Sequence, residues 1–330
     1  MSSVSVVIPT YNCAHLVGRA IDSVLAQTYQ GFEIIAVDDA STDSTREVLA
    51  EYAARYPDKI RVIHRKTNGG PAAARNDGIR ASTGESVAFL DQDDLYLPRR
   101  LEAAVRFLDE NPQFGGVYTD CQHWGPGARV LVKSMISQSG LQKRVTRWRD
   151  VARCEPMHTD TMTIRRRCFE EIGLLDERLC RGEDDSEFWL RLSYHYPLGQ
   201  IREVLAVWRR ETGQSFRWSG STNALRSIRV WEVSLGWLRN GSAADIRFAR
   251  SRLARAYWRL AFELRSERDC HAKEARAQAV SYSLASGLPS YVVAGLAGWY
   301  APPLLWVRRC ARSRFAQLRA RVAGAMERMR

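Results

Sequence analysis

Short apolar runs alternate with amphipathic segments over the first 110 residues of the chain. The runs have the length of buried strands, whereas the segments between them repeat apolar residues at helical spacing, as Val17, Ile21 and Val24 do. The pattern predicts four strands, each followed by a helix, at residues 4–8, 33–37, 60–64 and 86–90. This alternation is typical of an α/β fold with a mostly parallel sheet that is covered by helices on both faces.

The rest of the chain follows a less regular pattern. Strands are predicted at residues 116–119 and 200–208, a basic loop at 142–153, and helices at 168–173, 185–196, 222–239 and 244–265. We therefore expect two parts. They are an α/β domain over residues 1–215, with halves 1–110 and 111–215, and a helical C-terminal region rich in Arg and Trp over residues 216–330.

The positive charge of the chain is concentrated near one end. The net charge is +12, but residues 221–330 hold 20 basic and 7 acidic residues, whereas residues 1–220 hold 29 and 30. The first part of the chain is thus nearly neutral, and the basic region that follows it is expected to be attracted to phosphate groups. Because the sequence has no recognisable nucleic-acid motif, we expect no nucleic-acid partner.

The cysteines and the first residues indicate a compartment. Seven cysteines lie far apart and form no Cys-x-x-Cys pair, which argues against a disulfide framework or a zinc ribbon. The first residues have no basic segment and their apolar run ends at Pro9, so they are predicted to form a strand and not a signal peptide. Both observations favour a cytoplasmic protein.

Polar and acidic residues follow three of the predicted strands. They are Thr10 to Asn12 after the first strand, Asp38 and Asp39 after the second, and Asp91 to Asp94 after the fourth. The carboxyl ends of parallel strands border the ligand crevice of such sheets, so these residues are candidates for substrate binding. Asp91 and Asp93 form a D-x-D pattern, which suits a Mg²⁺ or Mn²⁺ ion shared with a diphosphate. A bare D-x-D is more often a solvated acidic loop before a helix, so the metal-binding interpretation needs support from the surrounding sequence.

Four ordered motifs favour the metal-binding interpretation. They are Val4 to Asn12, Val37 to Asp43, Asn68 to Asn76 and Gly84 to Asp94. In order and spacing they resemble glycosyltransferase family two, closely over residues 4–110 and more loosely over residues 160–215. The resemblance implies a GT-A type, Rossmann-like fold and a metal-dependent, inverting transfer of a sugar from a nucleotide-diphospho-sugar.

The resemblance also implies roles for individual residues. Asp39 matches the acid that hydrogen-bonds uracil, Asp93 and Asp91 match the metal ligands, and Asp94 is expected to be structural. The expected donor-binding residues are Pro9, Thr10, Tyr11, Asp39, Asn68, Gly70, Arg75, Asp91 and Arg209. For Arg75 an ion pair with Asp39 or Asp91 is the alternative, and both roles are compatible.

Residues 182–192 resemble the family's Glu-Asp motif, in which the Asp acts as general base, and here that residue is Asp184. An inverting transfer needs such a carboxylate opposite the leaving diphosphate. Neighbouring acids leave the identity of the base open, and Glu183 is a secondary candidate. His158 is another, because its segment lines the donor and acceptor pocket in the family, although a structural role is favoured for a lone histidine.

Residues 208–215 resemble the family's aromatic-Arg-x-His loop, with Arg209 and Arg210 as candidates to bind the diphosphate. Glu211 stands at the place of the histidine that approaches the metal in the family. A carboxylate there repels the diphosphate unless it joins the metal shell or pairs with an arginine. Glu211 is therefore a secondary candidate.

The C-terminal segment combines an uncharged stretch with a basic end. Residues 291–307 contain no charge, and residues 308–330 contain eight arginines against Glu327. Pro302 and Pro303 argue against a membrane-spanning helix, whereas the aromatic and basic residues suit attachment to an anionic membrane surface. A buried hairpin with a solvated basic end is the alternative. Attachment would place the protein on the inner face of the cytoplasmic membrane.

The sequence thus predicts a glycosyltransferase with a UDP-sugar donor and a cell-surface glycan or a lipid-linked saccharide as acceptor. A polyprenyl-phosphate sugar synthase and a catalytically degenerate membrane-binding module are the alternatives. A sugar-phosphate nucleotidyltransferase is disfavoured because residues 10–14 lack a glycine-rich, basic phosphate loop. The sugar, the linkage and the oligomeric state are left open.

Overall fold

The computed structural model describes residues 3–139, 145–154, 157–179, 183–209, 220–266 and 272–287. Within these ranges the strands are β1 (Val4–Thr10), β2 (Phe32–Asp38), β3 (Ile60–His64), β4 (Ser86–Phe89), β5 (Leu95–Tyr96), β6 (Gly116–Gly125), β7 (Arg129–Val132), β8 (Val145–Thr146), β9 (Met162–Arg165) and β10 (Leu198–Arg209). The helices are α1 (Ala14–Leu25), α2 (Thr45–Arg55), α3 (Pro71–Ala81), α4 (Arg100–Glu110), α5 (Met135–Ser139), α6 (Trp148–Cys154), α7 (Arg166–Ile172), α8 (Glu183–His195), α9 (Gly220–Trp237), α10 (Ala243–Ser266) and α11 (Ala272–Ala285).

The described strands form one mixed sheet. Its order is β3-β2-β1-β4-β9-β6-β10-β5, with β7 beside β6 and β8 beside β10. Strands β3, β2, β1 and β4 run parallel to one another, as β6 and β10 do. Strand β9 lies antiparallel between β4 and β6 and joins the two parallel sets. The mostly parallel sheet predicted from the sequence is confirmed.

Helices cover both faces of the sheet because successive side chains of a strand point to opposite faces. Ile34 of β2 packs in a cluster with Ile21 of α1 and Leu101 of α4. Its neighbour Ile35 packs against Ala74 of α3. Each large apolar side chain buried in this way contributes about 1.5–3 kcal/mol, and the two clusters hold the strand ends of the first half in place.

The prediction of a basic loop at residues 142–153 is wrong for its described part. Strand β8 and helix α6 occupy this segment. Trp148, Val151 and Ala152 are buried at helical spacing, and the Trp148 ring lies edge-on to Tyr194 of α8, with centroids 5.6 Å apart. The intervening charged residues hide this apolar face when the sequence alone is considered.

The chain divides into two compact units, residues 1–216 and 217–330. In the described part of the second unit, α9, α10 and α11 pack together, as the predicted helices suggest. Tyr257 of α10 stacks on Tyr282 of α11 with ring centroids 5.6 Å apart, and Trp258 Nε1 donates a hydrogen bond to Ser283 Oγ at 3.3 Å.

None of the helices in the described ranges is long and apolar enough to cross a membrane. Residues 291–307 and 308–330, for which attachment to a membrane surface is predicted, lie outside the described residues.

Glu33 of β2 ties the parallel part of the sheet together. Its Oε1 accepts hydrogen bonds from Ser5 Oγ at 2.6 Å and from the backbone N–H of Thr83 at 2.8 Å. Its Oε2 accepts a hydrogen bond from Arg61 Nη2 at 2.8 Å. Burial opposes ionisation of Glu33, but these hydrogen bonds outweigh it and lower the pKa to about 2.

Replacement of Glu33 by Gln is expected to lower the free energy of unfolding by about 1–3 kcal/mol near neutral pH, because donors are left without their charged acceptor. Since the pKa of Glu33 is lower in the folded state, its contribution is full above the unfolded value and fades as the pH falls towards about 2. The measurement is urea unfolding of the parent protein and of Glu33→Gln between neutral pH and about pH 3. The difference between their free energies of unfolding should shrink as the pH falls. Glu110→Gln, at an exposed pair with Arg106, is the control. A pH-independent difference for Glu33→Gln would contradict the assignment.

Candidate active site

The D-x-D turn directly follows β4 and is held by contacts from distant parts of the chain. The backbone N–H of Asp91 donates to Asp160 Oδ1 at 2.7 Å, and Asp94 Oδ1 accepts a hydrogen bond from the backbone N–H of Arg209 at 2.7 Å. Arg209 Nε donates to the backbone carbonyl of Asp93 at 2.5 Å. The turn is therefore anchored from both sides, by the segment before β9 and by the end of β10.

Three carboxylates meet beneath this turn. One oxygen each of Asp91, Asp94 and Asp160 lies within 4.8 Å of the others, and Asp94 and Asp160 are each only 1% exposed. Oδ2 of Asp94 and Oδ2 of Asp160 have no hydrogen-bond donor among the described residues. Burial and the charge of Asp160 raise the pKa of Asp94 well above its usual range. Such a buried acidic cluster is balanced either by a retained proton or by a cation.

The oxygens of this cluster fit a hard divalent cation. Carboxylates are the preferred protein ligands of Mg²⁺ and suit Mn²⁺ equally. The structure groups Asp91 with Asp94 and Asp160, whereas the D-x-D pattern pairs Asp91 with Asp93. Burial, together with the charges of Asp91 and Asp160, raises the pKa of Asp93 to about 7. The cluster thus adds two acids beside the predicted ligand pair, and the assignment of Asp93 as ligand stays a prediction.

Arg75 connects this turn to the predicted general base. The turn before α3 has Gly70 in a left-handed conformation (φ 84°), and Pro71 begins the helix. Arg75 Nη2 donates to Asp91 Oδ1 at 2.7 Å, and Nη1 donates to Asp184 Oδ2 at 3.0 Å. Arg75 is 5% exposed and Asp184 is fully buried. Burial alone would lower the pKa of Arg75, but the two carboxylates raise it, so the guanidinium stays charged.

Asp39 does not pair with Arg75. It pairs instead with Arg65, which also donates from Nε to Asp77 Oδ2 at 2.9 Å. Asp39 Oδ1 and Oδ2 accept the backbone N–H groups of Gly69 and Gly70 at 2.9 and 2.7 Å. Asp39 therefore fixes the glycine turn beside which a donor nucleotide is expected.

The end of β1 is joined to the D-x-D turn by Gln92. The backbone N–H of Tyr11 donates to Gln92 Oε1 at 2.7 Å, and Gln92 Nε2 donates to the Tyr11 carbonyl at 3.2 Å. The Tyr11 side chain is 42% exposed, whereas Thr10 is buried and uses its hydroxyl to bond the Val37 carbonyl at 2.9 Å. Pro9 is buried beside Thr10 within β1. Of these three predicted donor-binding residues, Tyr11 has an exposed side chain, whereas Pro9 and Thr10 are buried.

Helix α8 begins with the acidic residues of the Glu-Asp motif. Glu183 and Asp184 are both fully buried. Asp185 Oδ2 accepts a hydrogen bond from Thr159 Oγ1 at 3.1 Å, which ties the first turn of α8 to the segment before β9. Phe188 and Trp189 of the same helix pack into the core, where the Trp189 ring lies 6.4 Å from that of Phe89. The apolar face of α8 thus positions its acidic first turn at the sheet.

His158 lies in an aromatic cluster next to the acids. Its ring centroid is 4.8 Å from Trp208 and 5.6 Å from His123, and the latter two are 4.2 Å apart. His158 Nδ1 is 3.8 Å from Asp160 Oδ2. Burial would lower the pKa of His158, but the nearby carboxylate of Asp160 raises it. The structure places His158 within the candidate site, behind the D-x-D turn.

Three further predicted residues lie at the edge of the described site or outside the described residues. Asn68 is exposed at the start of the glycine turn. Arg210 and Glu211 lie outside the described residues. Conversely, sequence reasoning missed Asp160, Gln92 and Arg65, whose partners in the site lie 26 to 81 positions away along the chain.

A model of one protein family, Glycosyl transferase family 2, matches residues 5–173, just over half of the chain. The chain belongs to glycosyl transferase family 2. The match includes the D-x-D turn, Arg75 and Asp160, and it ends before α8. The matched residues therefore include nearly all of β1 to β9 and the three carboxylates of the cluster described above.

Relatives with curated descriptions agree with this assignment. The putative glycosyltransferase EpsE of Bacillus subtilis is 35% identical over 193 residues, which cover 57% of this chain and 66% of EpsE. An uncharacterized glycosyltransferase of Rickettsia typhi is 44% identical over 235 residues, which cover 70% of this chain and 69% of that protein. The chain spans about a third of some other relatives, such as 36% of one from Rickettsia felis.

Solved structures share the fold of this family member. Residues 1–349 of S. aureus TarS give a TM-score of 0.62 at 18% identity, with 91% of this chain and 93% of that chain covered. The mannosyltransferase PcManGT from Pyrobaculum calidifontis gives 0.61 at 23% identity, with 90% and 85% covered. TarS has been solved with UDP-GlcNAc, and PcManGT with GDP-Man and Mn²⁺. The predicted GT-A type fold is confirmed.

Proposed function

We propose that this glycosyltransferase moves a sugar from a nucleotide-diphospho-sugar to an acceptor hydroxyl with inversion at the anomeric carbon, and that it depends on a divalent cation. The observation that carries the proposal is the Arg75 guanidinium, which joins Asp91 of the D-x-D turn to Asp184 of α8. This contact brings a candidate metal ligand and a candidate base to one side chain. A direct displacement needs these two functions on opposite sides of one reacting carbon.

The donor is proposed to lie along the ends of β1 and β2 and over the glycine turn. Asp39 would read the nucleobase, and a UDP-linked donor is favoured because a carboxylate accepts the imide N–H of uracil. Pro9, Thr10, Tyr11, Asn68 and Gly70 would border the nucleotide. Arg209, anchored to the D-x-D turn through Asp93 and Asp94, would face the diphosphate.

Asp93 and Asp91 would hold Mn²⁺ or Mg²⁺, with Asp94 and Asp160 as the neighbouring acids that complete the negative site. When bound, the ion would neutralise charge on the departing nucleoside diphosphate. The raised pKa values of Asp93 and Asp94 support this assignment, because acids crowded in this way lose their protons readily only when a cation is near.

Asp184 is proposed to take the proton of the acceptor hydroxyl as it attacks. Its carboxylate is fully buried, and the adjacent Arg75 favours the ionised form that a base requires. Glu183 is the secondary candidate for the base. His158 is proposed to support the D-x-D turn through Asp160 and not to contact the substrate.

The proposed acceptor is a cell-surface glycan or a lipid-linked saccharide, and a polyprenyl-phosphate sugar synthase is the alternative within the same chemistry. Attachment of residues 291–330 to an anionic membrane surface, on the inner face of the cytoplasmic membrane, stays part of the proposal. Its support is the sequence pattern alone.

The function is tested by incubating the purified protein with Mn²⁺ or Mg²⁺ and a panel of UDP-, GDP- and TDP-sugars, and by measuring the released nucleoside diphosphate. We expect release from one donor class, loss of release with EDTA, and loss in Asp93→Ala. Release of pyrophosphate would indicate a nucleotidyltransferase instead. If no donor is hydrolysed, binding of UDP is measured with and without the metal, and absence of any metal-dependent binding would overturn the proposal.

A further inference from the structure

Gln92, the middle residue of the D-x-D turn, binds the backbone of Tyr11 with both ends of its side-chain amide. Its Oε1 accepts the Tyr11 N–H at 2.7 Å, and its Nε2 donates to the Tyr11 carbonyl at 3.2 Å. The ladder between β1 and β4 ends before this point, where the N–H of Leu90 donates to the Val7 carbonyl at 3.1 Å. The Gln92 amide therefore continues the connection between the two chain segments beyond the end of their strands.

The loop that contains Tyr11 is held from two sides. On one side, the N–H of Asn12 donates to Ser41 Oγ at 3.0 Å, and Asn12 Oδ1 accepts the N–H of Thr42 at 2.8 Å. Asn12 has a left-handed backbone conformation with φ of 48°, which asparagine tolerates better than most residues. On the other side, the described hydrogen bonds of the Tyr11 backbone both go to Gln92. Loss of the Gln92 amide would therefore release one side of this loop.

The two neighbours of Gln92 are the acids of the D-x-D pattern. Asp91 belongs to the three-carboxylate cluster and accepts a hydrogen bond from Arg75. The backbone carbonyl of Asp93 accepts a hydrogen bond from Arg209 Nε at 2.5 Å. Because Gln92 lies between these acids, a cation held by them would restrain the backbone that carries the Gln92 side chain. The candidate metal site and the loop after β1 thus share one residue.

The side-chain amide of Gln92 matches a peptide group. It has one donor end and one acceptor end, which fit the C=O and N–H of Tyr11, and it adds no charge to the acidic site. The Tyr11 side chain is 42% exposed and borders the proposed nucleotide site. Any effect of Gln92 on the nucleotide is therefore expected to pass through the position of Tyr11.

We infer that Gln92 is a positioning residue that couples the metal site to the subsite for the nucleoside. The D-x-D turn becomes ordered when its acids hold a divalent cation, and Gln92 passes this order to the Tyr11 loop. A nucleoside that binds to an ordered loop loses less conformational entropy. The inference rests on the proposed function, because it concerns the donor nucleotide and the cation of that reaction. It predicts that the cation strengthens the binding of a nucleoside that has no phosphate to touch it.

The test measures the affinity of uridine by ligand-observed NMR, with Mg²⁺ and with EDTA. Uridine has no phosphate group, so a gain in affinity with Mg²⁺ cannot come from contact between the ion and a diphosphate. We expect a gain of about fivefold or more in the parent protein. Gln92→Met has a side chain of similar length without the two hydrogen bonds, and it should lose most of this gain. Because coupling is reciprocal, uridine should strengthen Mg²⁺ binding by the same factor, which calorimetry measures.

Gln30→Met is the matched control, at an exposed glutamine whose Nε2 donates to the carbonyl of nearby Gln27 at 2.6 Å. It should keep the full gain. A uridine affinity that does not respond to Mg²⁺ in the parent protein, or a full gain in Gln92→Met, would overturn the inference. So would uridine that fails to bind in a preparation that binds UDP with Mg²⁺. Failure of UDP itself to bind with Mg²⁺ would count against the proposed function instead, so the two failures are distinguishable.

Discussion

Asp184→Asn is expected to lower the rate of sugar transfer by about 10²- to 10⁴-fold, which is the usual contribution of a general base. The amide has nearly the same shape as the carboxylate, and its oxygen can still accept the hydrogen bond from Arg75 Nη1. It cannot take the proton of an acceptor hydroxyl. Binding of the nucleotide, measured by calorimetry with UDP, should change little, which would show that the variant is folded.

Asp185→Asn is the matched control for this variant. Asp185 is the next residue of α8. Its carboxylate accepts a hydrogen bond from Thr159, whereas the described hydrogen bonds of Arg75 go to Asp91 and Asp184. We expect a loss of less than about tenfold, through a small shift of the first turn of α8. A larger loss in Asp185→Asn than in Asp184→Asn would show that Asp184 is not the general base.

Arg75→Met is expected to lower the free energy of unfolding by about 3–5 kcal/mol and to abolish transfer. Removing one partner of a buried ion pair is costly because the other charge stays in a low-dielectric environment. Here two carboxylates, those of Asp91 and Asp184, lose the same guanidinium group. Urea unfolding measures the stability, and release of nucleoside diphosphate measures the activity.

The double variant Arg75→Met, Asp184→Asn separates the ion pair from general damage to α3. Neutralising Asp184 should recover part of the stability lost in Arg75→Met, while transfer stays abolished. Arg80→Met, at an arginine of the same helix whose side chain is 54% exposed, is the control and should cost less than about 1 kcal/mol. Additive losses in the double variant would show that Arg75 and Asp184 do not interact in solution.

The first half of the sheet could be predicted because its signals are local. Strands β1, β2 and β4 are short apolar runs that the hydrophobic pattern locates. The D-x-D turn follows β4 directly, so its place at the end of a strand could be predicted as well. Strand β9 gave no comparable signal. It has four residues, with Thr163 buried as deeply as Met162 and Ile164, and it runs antiparallel within a parallel sheet.

The partners within the site could not be predicted from local patterns. Arg75 and Asp184 are 109 positions apart, and Asp91 and Asp160 are 69 positions apart. Motif resemblance identified three of these residues singly, but only the fold brings them together. Asp160 was missed because one acid between two threonines has no pattern of its own, and its role depends on the insertion of β9.

The position of β9 also has a consequence for synthesis on the ribosome. The edge of β4 that faces away from β1 stays unpaired until β9 has been synthesised, and Arg165, the last residue of β9, lies 76 positions after Phe89. At about 5–20 residues per second, the nascent chain carries an open, apolar sheet edge for about 4–15 s. During this interval the D-x-D turn also lacks Asp160, so the nascent first half is expected to depend on chaperones, and the candidate metal site stays incomplete until β9 has emerged.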